Sequence, residues 1–231
     1  MSNARARVMT ISSEGSSPAV HDHSSHTVCR PRLGCSQLFF LFQGRAGMLQ
    51  MSPFDFIRLT GLHNRNIVMF RDTNRSDYQR GISRDISTID SLIAWQEKQR
   101  TDYFPHVRTS YCIGTSAGAY AAIMSGFFLK VPVVWAFAPP TIIEYRMRAS
   151  ENVGLFARCA DLGDLLREGN GVTEYRIFYN ETWDSDREAA EHISDCPGVR
   201  LFPQPGEGHG VAPEMARLGR LAGVIADFEG V

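Results

Sequence analysis

From residue 37 onward, short unbroken apolar runs alternate with longer segments whose apolar residues recur at helical spacing. The runs at 37–44 (QLFFLFQG), 66–70 (NIVMF), 107–113 (VRTSYCI), 131–137 (VPVVWAF), 174–179 (EYRIFY) and 199–202 (VRLF) predict strands. A continuous run, rather than strict alternation of apolar and polar positions, implies a strand covered on both faces. Between them lie predicted helices. Residues 52–62 offer Ser52 as a cap and Pro53 in the first turn. Residues 85–99 place Ile86, Ile89, Leu92 and Ile93 on one face. Residues 116–128 are rich in small side chains, 186–194 follow the fifth strand, and 213–226 carry Met215, Leu218, Leu221, Ala222 and Ile225 at helical spacing.

Strands that alternate with helices require right-handed crossovers, so the pattern predicts an α/β domain: a mostly parallel central sheet with helices on both faces. One domain is expected over 36–231. Residues 1–35, rich in Ser, Arg, Pro and His, read as an N-terminal arm in which Arg7–Ile11 is the candidate for one short strand. The 36 residues at 138–173 have room for two or three short helices and not for a large cap.

Composition narrows the classes. The net charge is −1 and gives no electrostatic reason to expect nucleic acid or an anionic membrane as partner. No apolar run approaches the roughly 20 residues that span a bilayer. The start of the chain lacks the apolar core of a secretory signal. The five cysteines are odd in number and scattered, without CxxC spacing, which predicts reduced thiols in a cytoplasmic protein and argues against a structural zinc. His21, His23 and His26 cluster in the arm, but the segment is polar and tail-like and completes no recognisable metal site, so no metal and no cofactor is expected.

In a parallel sheet, reactive groups collect at the carboxyl ends of the strands. Three loops at that edge stand out. Residues 114–118 read GTSAG, a G-x-S-x-G pattern after a predicted strand and before a predicted helix. Such a turn exposes a serine hydroxyl above the sheet, and its glycines keep Cβ atoms out of a tight corner. Ser116 is therefore the candidate nucleophile. A hydroxyl needs a base, and His209, flanked by glycines after the last predicted strand, is placed to supply it. The imidazole in turn needs an orienting carboxylate from the strand before. Asp186 is preferred because it also opens a helix, where a carboxylate is favourable. Asp184 remains the alternative.

The order Ser116, Asp186, His209 is that of the α/β-hydrolases. Over about 37–228 the chain resembles that superfamily: GTSAG as the nucleophile elbow, NETWDSD as the acid loop, GEGHG as the histidine loop. It looks like a compact member with a small or absent cap. The resemblance implies an oxyanion hole formed by the backbone N–H groups of Ala117 and Arg45, with Gly44 allowing close approach. Gln43 and Thr115 stand where many relatives have histidine. The implied activity is a serine esterase or thioesterase acting on a small-molecule ester or thioester, with an acyl group on a carrier protein as another form of substrate. Acyl transfer or cyclisation through the same nucleophile, and a non-catalytic binding protein on the same fold, remain the alternatives. Oligomeric state has no signature in the sequence.

Overall fold

The computed structural model describes residues 19–22, 25–30, 34–143 and 159–226. Eight strands form one sheet: β1 (Ala19–Asp22), β2 (His26–Arg30), β3 (Gln37–Phe42), β4 (Asn66–Phe70), β5 (Thr109–Thr115), β6 (Val133–Phe137), β7 (Glu174–Asn180) and β8 (Val199–Gln204). Their spatial order is β1-β2-β4-β3-β5-β6-β7-β8. From β4 to β8 every pairing is parallel. The helices are α1 (Pro53–Leu59), α2 (Ile89–Asp102), α3 (Ala117–Leu129), α4 (Leu162–Glu168), α5 (Asp184–His192), α6 (Val211–Arg217) and α7 (Gly223–Ala226).

The apolar runs work as expected because successive side chains of a strand point to opposite faces. In β3, Leu38, Phe40 and Phe42 enter one core with residues of α2, α3, α4 and α5. Phe39 and Leu41 enter a second core with Phe56 of α1, Val211 and Met215 of α6 and Ile225 of α7. β6 divides in the same way, Val134 and Ala136 against Val133, Trp135 and Phe137. Both faces are thus dry, which is what unbroken apolar strands require. β8 contains Pro203 and lies at the edge of the sheet, where the missing N–H costs no ladder bond.

The structure corrects several boundaries. Part of the segment read as an arm belongs to the sheet: β1 and β2 form a hairpin, and β2 pairs antiparallel with β4, bringing Val28 opposite Val68. The strands read AVHD and HTVCR, too short and too polar to stand out by periodicity, and are recruited by an otherwise open edge. His26 stacks edge-on against Trp95 at 4.6 Å. The strand expected at Arg7–Ile11, and His23, lie outside the described residues. The helix expected over 85–99 starts at Ile89, because Thr88 and Ser91 form a reciprocal capping box. Buried Ile86 sits in the loop before it. The helix expected over 213–226 is two helices, separated where Gly219 adopts φ +70°. Among the described residues no helix is long and apolar enough to cross a membrane.

Candidate active site

β3 has β4 on one side and β5 on the other, so the chain order reverses there. At such a switch point the loops after neighbouring strands diverge and leave a crevice. Register sets Phe42 opposite Gly114, which brings the loop after β3 against the turn after β5.

That turn carries Ser116 at φ 53° and ψ −128°, a conformation that costs a non-glycine residue on the order of 1–3 kcal/mol. Surrounding contacts hold it. The Ser116 N–H donates to the Phe137 carbonyl at 2.8 Å, and the Ser116 carbonyl accepts from Ala119 N at 2.7 Å. The flanking glycines are obligatory for steric reasons. A Cβ on Gly114 would lie 2.1 Å from the Gly118 carbonyl oxygen, and one on Gly118 would lie 2.1 Å from that of Phe42. Helix α3 then runs into the core, buried from Ala117 through Phe127.

β7 and β8 deliver the other two groups. Asp186 lies in the first turn of α5, and its side chain is 7% exposed. His209 follows β8 and is 45% exposed. Its Nδ1 is 2.8 Å from Asp186 Oδ1 and 3.1 Å from Oδ2, and its Nε2 is 2.8 Å from Ser116 Oγ. A buried carboxylate, an imidazole and a hydroxyl thus form one hydrogen-bonded chain. With Nδ1–H donating to the carboxylate, Nε2 is left as an acceptor for the serine hydroxyl. Asp184, two residues from Asp186, points elsewhere: it is 76% exposed and pairs with Arg187 at 2.7 Å. Residues two apart on a helix project about 200° apart, so only one of the two can face the histidine.

The loop after β3 approaches the elbow closely: a Cβ on Gly44 would be 3.4 Å from Ser116 Cβ. Among the described residues, the backbone N–H groups of Arg45 and Ala117 have no hydrogen-bond acceptor. The loop is braced from below. The Arg45 guanidinium grips the buried carboxylate of Asp77 with two of its nitrogens. Buried Tyr78 donates its hydroxyl to the Gln43 carbonyl at 2.8 Å. Burial pushes the Tyr78 hydroxyl well above its usual range, so it stays a donor. A further side chain from this loop, Gln50, reaches the histidine loop, where Nε2 donates to the His209 carbonyl at 2.7 Å and Oε1 accepts from Ala212 N at 2.9 Å. From the β7 side, Asn180 Nδ2 donates to the Gly208 carbonyl at 2.7 Å. Sequence reasoning missed Gln50, Asp77 and Asn180, because each acts through a partner far away in the chain. The acid and histidine loops border an open groove of about 640 Å³ lined by Thr182, Trp183, Gly206, Glu207 and Gly208.

No protein-family model and no curated protein matches the sequence. Solved structures do match. A hyperthermophilic esterase from the archaeon Pyrobaculum calidifontis superposes with a TM-score of 0.60 at 12% identity, over 97% of this chain and 85% of that one. Est1E from Butyrivibrio proteoclasticus gives 0.57 at 10% identity, over 95% and 98%. The protein TT1662 from Thermus thermophilus gives 0.58 at 17% identity, over 98% and 100%. The fold is that of the α/β-hydrolases. At these identities the likeness is one of architecture, and it extends over nearly the whole chain. In this α/β-hydrolase fold the loops after β3, β5, β7 and β8 supply the groups just described.

Proposed function

We propose that the protein is a serine hydrolase of carboxylic esters or thioesters that works through an acyl-enzyme on Ser116. The observation that carries the reading is the pair of contacts made by one imidazole. His209 Nε2 lies 2.8 Å from Ser116 Oγ, 93 positions away in the chain, and Nδ1 lies 2.8 Å from Asp186, 23 positions away. Each distance suits proton transfer in a bound complex.

The reaction follows from these positions. As the Ser116 oxygen bonds to the acyl carbon, its proton passes to His209 Nε2, and the carbonyl oxygen becomes an oxyanion. Asp186 keeps the proton of Nδ1 in place and stabilises the imidazolium by its buried negative charge. The N–H groups of Ala117 and Arg45 are the proposed donors to the oxyanion; one such donor is worth about 3–4 kcal/mol in a water-excluded site. The tetrahedral species collapses, the bond to the leaving oxygen or sulfur breaks, and His209 returns the proton to it. Water repeats the sequence on the acyl-enzyme and frees the acid and Ser116.

A panel of p-nitrophenyl esters and acyl thioesters tests the reading. Hydrolysis is expected, and Ser116→Ala lowers kcat on the order of a millionfold. Full activity in that variant would end the assignment. Running the reaction in 18O-labelled water separates hydrolysis, which places label in a free acid, from transfer of the acyl group to another acceptor.

A further inference from the structure

The histidine loop is an unpromising place to hold a base. Gly206, Gly208 and Gly210 surround His209, and Gly206 and Gly208 occupy φ +159° and +75°. Such a segment has little stiffness of its own. Helix α6 begins directly after it with Gly210 as its cap and no side-chain cap bond from that residue. The Val211 N–H turns back to the His209 carbonyl at 3.2 Å, and the next N–H, that of Ala212, needs an acceptor from elsewhere.

Asn180 holds the loop at the Gly208 carbonyl, and one other side chain serves both the His209 peptide and the start of α6. The Gln50 carboxamide donates to the carbonyl of His209 at 2.7 Å and accepts from the N–H of Ala212, in the first turn of α6, at 2.9 Å. The two contacts straddle Gly210 and Val211, so one planar group fixes the peptide on each side of the corner that aims the imidazole. Gln50 adopts φ +59° to do this. It belongs to the loop after β3, the loop that carries Arg45 and is fastened to Asp77. The side chain thus joins the segment bearing a proposed oxyanion donor to the segment bearing the proposed base.

We propose that Gln50 is a positioning residue for His209. It caps α6 from a distance, holds the imidazole within reach of Ser116 and Asp186, and keeps the base in register with the Arg45 N–H. This inference rests on the hydrolytic reading given above. A misplacement of about 1 Å in a reacting group costs on the order of a hundredfold in rate, so a contact that adds little to folding stability can matter greatly to turnover.

The test uses the full chain and three proteins: native, Gln50→Ala and Gln50→Glu. Each is assayed for ester hydrolysis and for amide hydrogen exchange over 206–213. In Gln50→Ala both contacts are lost. We expect kcat to fall by about 10- to 100-fold with KM within about twofold, together with faster exchange at the Ala212 amide and an unchanged unfolding midpoint. Gln50→Glu keeps an acceptor for Ala212 N–H and loses the donor to the His209 carbonyl. There Ala212 should remain protected while kcat falls as in Gln50→Ala, a separation that a merely structural role does not give. Native-like kcat in folded Gln50→Ala overturns the proposal, as does an Ala212 amide that exchanges freely in the native protein. The exchange arm needs no activity. If the native protein hydrolyses no ester, the hydrolytic reading fails and the catalytic role of Gln50 fails with it, while exchange still decides whether the brace forms.

Discussion

The two halves of the candidate site are built in opposite ways. On the β5 side, Ser116 sits in a strained turn between Gly114 and Gly118, fenced by backbone atoms closer than any Cβ tolerates. On the β8 side, His209 rides on an exposed, glycine-rich loop held by side-chain amides from two distant elements. The hydroxyl is positioned by backbone packing and backbone hydrogen bonds, the imidazole by side-chain hydrogen bonds. A nucleophile gains from being immovable. A base that rides on a loop with little stiffness of its own needs contacts from elsewhere to stay within reach of both partners.

Substitutions sharpen this contrast, beginning with the largest effect. Asp186→Asn should lower kcat by about 10⁴-fold, because an amide no longer fixes the tautomer or offsets the imidazolium charge. Asp184→Asn should leave kcat unchanged and alter stability by less than about 1 kcal/mol, since it removes only an exposed pair with Arg187. Steady-state kinetics on both variants decides between the two carboxylates. Next in size is Gly118→Ala, whose new Cβ would meet the Phe42 carbonyl oxygen at 2.1 Å and that of Gln43 at 2.6 Å. Both obstacles are backbone, so β3 or the elbow must move, and a loss of about 3 kcal/mol or more in unfolding free energy is expected from denaturant titration. The smallest effect belongs to Gly210→Ala in the histidine loop. There the nearest atom to a new Cβ is Pro213 Cγ at 3.9 Å, and the same titration should shift by no more than about 0.5 kcal/mol. Equal losses from Gly118→Ala and Gly210→Ala would remove the distinction between the two halves.

The same contrast explains what could be read from the sequence. The elbow is local: strand, pentapeptide and helix are contiguous, so GTSAG in its setting is visible without a structure. The parallel sheet was legible because strands buried on both faces must be apolar throughout. The choice between Asp184 and Asp186 was not settled by pattern, since both lie in the first turn of α5 and only the rotation of that helix turns one inward. Gln50 was invisible, because its partners lie 159 and 162 positions away. The β1–β2 hairpin was missed for a different reason: its strands draw their order from the open edge of β4 and not from an apolar pattern of their own.

The central claim is that Ser116, His209 and Asp186 act as one unit. Reaction with a fluorophosphonate probe, located by peptide mass spectrometry, tests it most directly. The account predicts stoichiometric labelling at Ser116 in the native protein and loss of that labelling in folded His209→Ala. An unlabelled Ser116 in well-folded native protein, or labelling at an undiminished rate without His209, would contradict it.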